Sequence, residues 1–142
     1  VPVVERTITV DRPLRAVWAF LADFTTTEEW DPPTLSTERL SGDGGVGTTY
    51  HNVSKFDGLS TEIDYVVTEY VEHERLQLRG RGAGLALLDT ITVEDVPGGT
   101  RVTYHAVFSP RHASSSVVLD RDGLMVLGDF VAESLLDSLE HL

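Results

Sequence analysis

The chain has 142 residues, no cysteine and a formal net charge of −12. That length fits one domain, spanning residues 1–142, with enough chain to bury a sizeable core, and the lack of cysteine excludes disulfides and thiolate metal ligands. The negative field repels phosphate backbones and anionic headgroups, so nucleic acid and membrane surfaces are poor partners. No apolar run reaches the roughly 20 residues of a membrane span, and no signal peptide is visible, which leads to the expectation of a cytoplasmic location.

In chain order, residues 3–10 alternate weakly and are rich in Val, Ile and Thr, which predicts a first strand. Asp11 and Pro13 then open a helix as cap and first-turn proline, and Leu14, Val17, Trp18 and Leu21 form one apolar stripe. Thr25 with Glu28, or Thr26 with Glu29, has capping-box spacing for a short second helix, which Asp31-Pro32-Pro33 ends. From Leu35 to Phe108 the period is near two, with turn residues recurring. Strands are predicted at 35–41, 47–55, 60–70, 75–79, 85–95 and 100–108. The stretch SPRHASSS reads as a loop. The last twenty or so residues return to helical period, with Leu124, Leu127, Val131, Leu135 and Leu139 on one stripe.

Two hairpins can be registered from the sequence. Asp57-Gly58 is a two-residue turn that pairs Asn52 with Ile63 and Tyr50 with Tyr65 on one face, and His51 with Asp64 on the other. The turn at Pro97-Gly98 pairs Ile91 with Tyr104, Asp89 with Ala106, and Leu87 with Phe108, leaving Thr90 opposite His105 on the polar face. A one-residue slip would invert every side chain, so an apolar and a polar face on each hairpin support these registers. Such a sheet is covered on one side, and the C-terminal helix has the apolar surface to cover it. Gly42, Gly44 and Gly47 have the G-x-G-x-x-G spacing of a dinucleotide site, but Thr48, Thr49 and Tyr50 lead into a strand. A pyrophosphate site needs a helix there, so the glycines are expected to form a loop between antiparallel strands.

The order is strand, two helices, about six antiparallel strands and a long helix, with VDRPLRAVWAFLADF, EEWDPP, GGVGTTY and PGGTRVTY along it. It resembles the START-like, helix-grip (SRPBCC) superfamily, and within it the polyketide cyclase/dehydratase-like and lipid-transport group, over nearly the whole chain. The resemblance implies an α+β fold: a curved antiparallel sheet of about seven strands wrapped around the C-terminal helix, with two short helices after the first strand. It also implies an apolar cavity for a lipid- or polyketide-like molecule. The group shares no catalytic motif, so no catalytic residue is carried over.

The residues themselves supply candidates. Asp89 falls on the apolar face, where a carboxylate is costly unless paired, bonded or protonated. It is either a ligand anchor or acid/base inside a cavity, or a residue near a sheet edge that reaches water. Tyr50, Tyr65 and Tyr104, with Asn52, share that face and offer polar tips on apolar bodies, either as pocket lining or as core. Trp30, Phe108 and Phe130 are candidate apolar wall, and Trp30 reads first as a core anchor. Gly128 interrupts the last helix, either for close packing or to leave ligand space. LRGRGAG, residues 78–84, is a turn, or a gate over the cavity mouth. His51, with Asp64, and His105 lie on the solvated face and read as surface pairs. No histidine has metal-ligand spacing, so neither a metal nor a cofactor is expected. The expected partner is a small hydrophobic or amphipathic ligand. The alternatives are a polyketide cyclase/dehydratase using Asp89 as acid/base, and a protein-interaction module using the acidic helix face. The sequence leaves monomer and homodimer open.

Overall fold

The computed structural model describes residues 2–56, 58–110 and 121–142. Strand β1 (Val3–Val10) leads into helix α1 (Leu14–Leu21), a 3₁₀ turn (Phe24–Thr26) and helix α2 (Thr27–Trp30). Strands β2 (Thr34–Ser41), β3 (Thr49–Phe56), β4 (Leu59–Val71), β5 (Arg75–Gly82), β6 (Leu85–Val96) and β7 (Gly99–Pro110) follow, and helix α3 (Arg121–Glu140) closes the chain. All strands join one antiparallel sheet of order β1-β7-β6-β5-β4-β3-β2. The sequence-derived strands differ from these mainly at their ends; β5 runs on to Gly82. Of the SPRHASSS loop, Ser109 and Pro110 belong to β7, and the remainder lies outside the described residues.

Both hairpin registers are as expected. Tyr50 pairs with Tyr65 and Asn52 with Ile63, while Asp89 pairs with Ala106 and Ile91 with Tyr104. The buried side of the sheet carries Tyr50, Ile63, Tyr65, Leu76, Leu78, Leu87, Ile91, Val102 and Tyr104. Gly42, Gly44 and Gly47 all adopt positive φ in the loop between β2 and β3, as chain-reversing glycines do.

The helix starts differ from expectation. Pro13, not Asp11, occupies the N-cap of α1, with no side-chain cap. Neither capping box forms. The Asp23 carboxylate instead accepts from the Thr25 backbone N–H (3.1 Å) at the head of the 3₁₀ turn. Glu28 accepts from the Thr37 N–H of β2 (2.8 Å), so its carboxylate ties α2 to the sheet edge rather than to its own helix.

Helix α3 is held at two places. On one side it packs on β1 and on the other on α2. Arg6 makes the β1 contact, donating from Nε to Asp129 (3.0 Å) and from Nη2 to the Met125 carbonyl (3.0 Å). Its presence among the inward positions of β1 explains why that strand alternates weakly. Ser134 and Ser138 donate to the Glu29 carbonyl of α2 (3.4 and 3.3 Å), and Arg12 donates to the Glu140 carbonyl at the end of α3.

Gly128 sits where α3 meets β1. A Cβ there would lie 2.8 Å from Val4 Cγ1 and 3.0 Å from the Arg6 guanidinium, so this glycine serves close packing. Alanine ordinarily gains about 1 kcal/mol over glycine inside a helix, but overpacking costs about 1–3 kcal/mol. Gly128→Ala is therefore expected to lower the midpoint of urea unfolding by a net destabilisation of about 1 kcal/mol.

Candidate functional site

The two supports of α3 lie at the β1 side and at α2, so the helix bridges the concave sheet without filling it. Between them lies a cavity of about 670 Å³. This is within the usual range for small-molecule sites, roughly 300–1,000 Å³. The sheet contributes Ile63, Tyr65, Leu87, Asp89 and Tyr104, α2 and its end contribute Trp30 and Asp31, and α3 contributes Leu124, Leu127 and Val131. The mouth carries exposed apolar side chains, Leu59, Val126 and Phe130.

Of the sequence candidates, Trp30, Asn52, Tyr65, Asp89, Tyr104, Phe108 and Phe130 meet at this cavity. Trp30 is also fully packed: its ring meets Tyr104 edge-on at 5.8 Å, and its Nε1 donates to Thr26 Oγ1 (3.1 Å). Phe130 stands at the rim and is half exposed. Tyr50 shares the buried face but does not line the cavity. The Phe24 ring lies against both Tyr50 (5.6 Å) and Tyr65 (5.0 Å), and the Phe24 backbone hydrogen-bonds the Tyr50 hydroxyl. Tyr50 instead floors a second, wide-open depression beside α1 that Trp18, Arg15 and Arg39 also line.

Asn52 faces the cavity with its hydrogen bonds already made. Its Nδ2 donates to Thr34 Oγ1 (3.1 Å) and Thr37 Oγ1 (2.9 Å), and its Oδ1 accepts from Ser54 Oγ (2.7 Å). Thr34 in turn donates to Asp31 Oδ2 (2.6 Å). The amide thus positions the threonine that holds Asp31.

Asp89 is 4% exposed, and among the described residues neither of its carboxyl oxygens has a hydrogen-bond partner. It is no edge residue: β6 lies between β5 and β7. Desolvation pushes its pKa up to about 8, and the nearby Asp31 carboxylate adds to the shift. Asp31 is itself raised to about 6 by desolvation, against the lowering effect of the Thr34 hydrogen bond. Asp31 escaped the sequence reading because Asp-Pro-Pro reads as a helix terminator. Its place directly after Trp30, a candidate wall residue, was the available signal. Desolvation and the charges of Asp89 and Asp31 push the Tyr65 and Tyr104 hydroxyls well above the usual phenol range. Around neutral pH the cavity therefore holds an ionised Asp31, a largely protonated Asp89 and two neutral phenols. Carboxyls whose pKa values are driven apart can divide acid and base roles.

The other candidates lie elsewhere. His51 is on the outer face, its ring nitrogens bonded to Asp64 (2.7 Å) and Glu62 (3.0 Å), which raise its pKa. His105 approaches Glu5 at 4.0 Å. In LRGRGAG, Ala83 and Gly84 at positive φ close a two-residue turn between β5 and β6. Among the described residues, no group of three His, Asp or Glu is arranged to hold a metal, and no helix is long and apolar enough to cross a membrane.

A family model described as polyketide cyclase/dehydrase and lipid transport matches residues 2–142. The chain belongs to this family. No curated protein matches it by sequence. Among solved structures, the Zhui aromatase/cyclase from Streptomyces sp. R1128 superposes with a TM-score of 0.78 at 17% identity, covering 98% of this chain and 93% of that one. A START superfamily protein from Mycobacterium smegmatis gives 0.75 at 14%, covering 98% and 94%. Protein CV1439 from Chromobacterium violaceum gives 0.74 at 16%, covering 99% of both chains. At these identities the likeness establishes the shared fold. Family membership and fold agree with the resemblance read from the sequence.

The raised Asp89 pKa has a consequence for stability. A carboxyl that binds its proton more tightly when folded favours the native state most below its unfolded value, 3.8, and that contribution is lost as pH rises through about 8. Asp89→Asn removes the loss. Relative to the parent, the variant is expected to gain stability steadily from about pH 4 to about pH 8 and to level off above. Chemical denaturation across that range checks it.

Proposed function

We propose that this protein binds a small, mostly apolar molecule in the cavity between the sheet and α3. The cavity carries this reading: a void of about 670 Å³, walled mainly by apolar and aromatic side chains, with a few polar groups converging on it. Binding would be driven by burial of apolar ligand surface, worth about 25 cal/mol per Å² before ordering costs. Asp89 and the Tyr65 and Tyr104 hydroxyls, unpartnered among the described residues, would fix orientation. The exposed Leu59, Val126 and Phe130 would guide an apolar guest through the mouth. The family description, which includes lipid transport, agrees with this reading.

A second reading is favoured by one observation, the pair of cavity carboxyls with separated pKa values. In a polyketide cyclase or dehydratase, Asp89 would act as general acid and Asp31 as the matching base. Likeness in fold to an aromatase/cyclase makes such substrates the first to try. Loss of turnover with retained binding in Asp89→Asn would favour this enzyme.

Filling the cavity tests the binding reading. Leu127 lines it and is only partly buried, so Leu127→Trp can be accommodated while occupying the void. The neutral fluorescent probe N-phenyl-1-naphthylamine is expected to bind the parent and to lose at least about tenfold in affinity to the variant. Circular dichroism should be unchanged. Equal affinity for both proteins would place the probe elsewhere and sink the reading.

A further inference from the structure

Among the described residues, the carboxyl groups of the cavity face no opposite charge. Among the described residues its lining includes Asp31 and Asp89 but no lysine, arginine or histidine. The groups that bear on Asp89 come from three elements: Asp31 from the end of α2, Tyr65 from β4 and Tyr104 from β7. Helix α3 and β1 add only Gly123 and apolar side chains such as Val4, Leu124 and Leu127. Every titratable group that the described residues bring to the lining is therefore neutral or negative. A buried carboxylate is normally bonded or paired, yet Asp89 keeps both oxygens unpartnered at 4% exposure.

From the unpartnered Asp89 carboxyl, the neighbouring Asp31 and the absence of a cation among the described lining residues we infer that the natural ligand is an apolar molecule bearing a protonated amine, which Asp89 receives as its counter-ion. This deepens the binding reading and rests on it. An ammonium supplies three donors and a positive charge where Asp89 offers a buried, unpartnered Oδ1. A carboxylate or phosphate head would enter against two acidic groups, with no cation among the described lining residues to meet it. A hydroxyl can satisfy one oxygen of Asp89 but supplies no counter-charge to it.

Binding then carries a proton signature. Near neutral pH Asp89 is largely protonated, so pairing it with an ammonium sends its proton to solvent. Affinity for an amine should rise with pH up to about 8 and then level off while the amine stays charged.

The test compares decylamine, decanol and decanoate, which share one chain and differ in the head. Calorimetry at neutral pH is expected to show decylamine binding at least about tenfold tighter than either, since hydrogen bonds between charged groups contribute about one to two powers of ten. Repeating the titration in buffers of different ionisation enthalpy should count up to one proton released, a readout that needs no variant. In Asp89→Asn the preference should fall to within about threefold, with decanol binding retained. Decanol or decanoate matching decylamine on the parent, or a preference surviving in Asp89→Asn, overturns the amine assignment and leaves the apolar cavity standing. If none of the three, nor N-phenyl-1-naphthylamine, binds, the cavity reading falls with it.

Discussion

Helix α3 lies across a sheet of seven strands whose inner face is mainly apolar, and the shorter α1 and α2 cover only parts of it. The 20 residues of α3 make a rod about 30 Å long, and a rod cannot fill a concave surface along its whole width. It is fixed at its margins, by Arg6 of β1 on one side and by the Glu29 carbonyl of α2 on the other. What remains between is the cavity. Where tight contact is needed, at β1, the chain places Gly128 so that the helix backbone can approach Val4 and Arg6.

The same geometry explains the polar residues on the inner wall. A carboxyl at the β6 position of Asp89 is costly in a packed core, and it persists here beside a void. Asp31 arrives from a different element, held by Thr34, which is itself held by Asn52. Inside-apolar patterning breaks on this face at Asn52 and Asp89; Asn52 has its hydrogen bonds made, and Asp89 has none among the described residues. Gly80 gives a quieter example. A Cβ there would come within 2.7 Å of the Tyr65 ring, so the missing side chain leaves room for that ring against the sheet.

Much of this was legible because period-two alternation fixes side-chain direction. With turns expected at Asp57-Gly58 and Pro97-Gly98, the alternation alone predicts the observed pairings of Tyr50 with Tyr65 and Asp89 with Ala106. A strand pattern says which face a residue joins, but not what lies above it. Tyr50 and Tyr65 face the same way, yet Phe24 packs between them and only Tyr65 reaches the cavity. Asn52 looked like a free anchor because its partners, Thr34 and Thr37, belong to another strand whose pairing offset was unknown. The capping boxes failed for a related reason. Glu28 had a better use, satisfying an N–H on β2, that no local spacing reveals.

Strand β2 closes the sheet on the side away from β1, and among the described residues one of its edges has no strand beside it. Its register against β3 shifts twice, between Thr34 and Ser36 and again between Arg39 and Ser41, and the charged Glu38 and Arg39 lie between the two irregularities. Open strand edges invite another chain to dock backbone to backbone, and such kinks and charges are how natural sheets discourage it. Although Leu35 and Leu40 stand out in water on this strand, its border is a poor template for fibril growth.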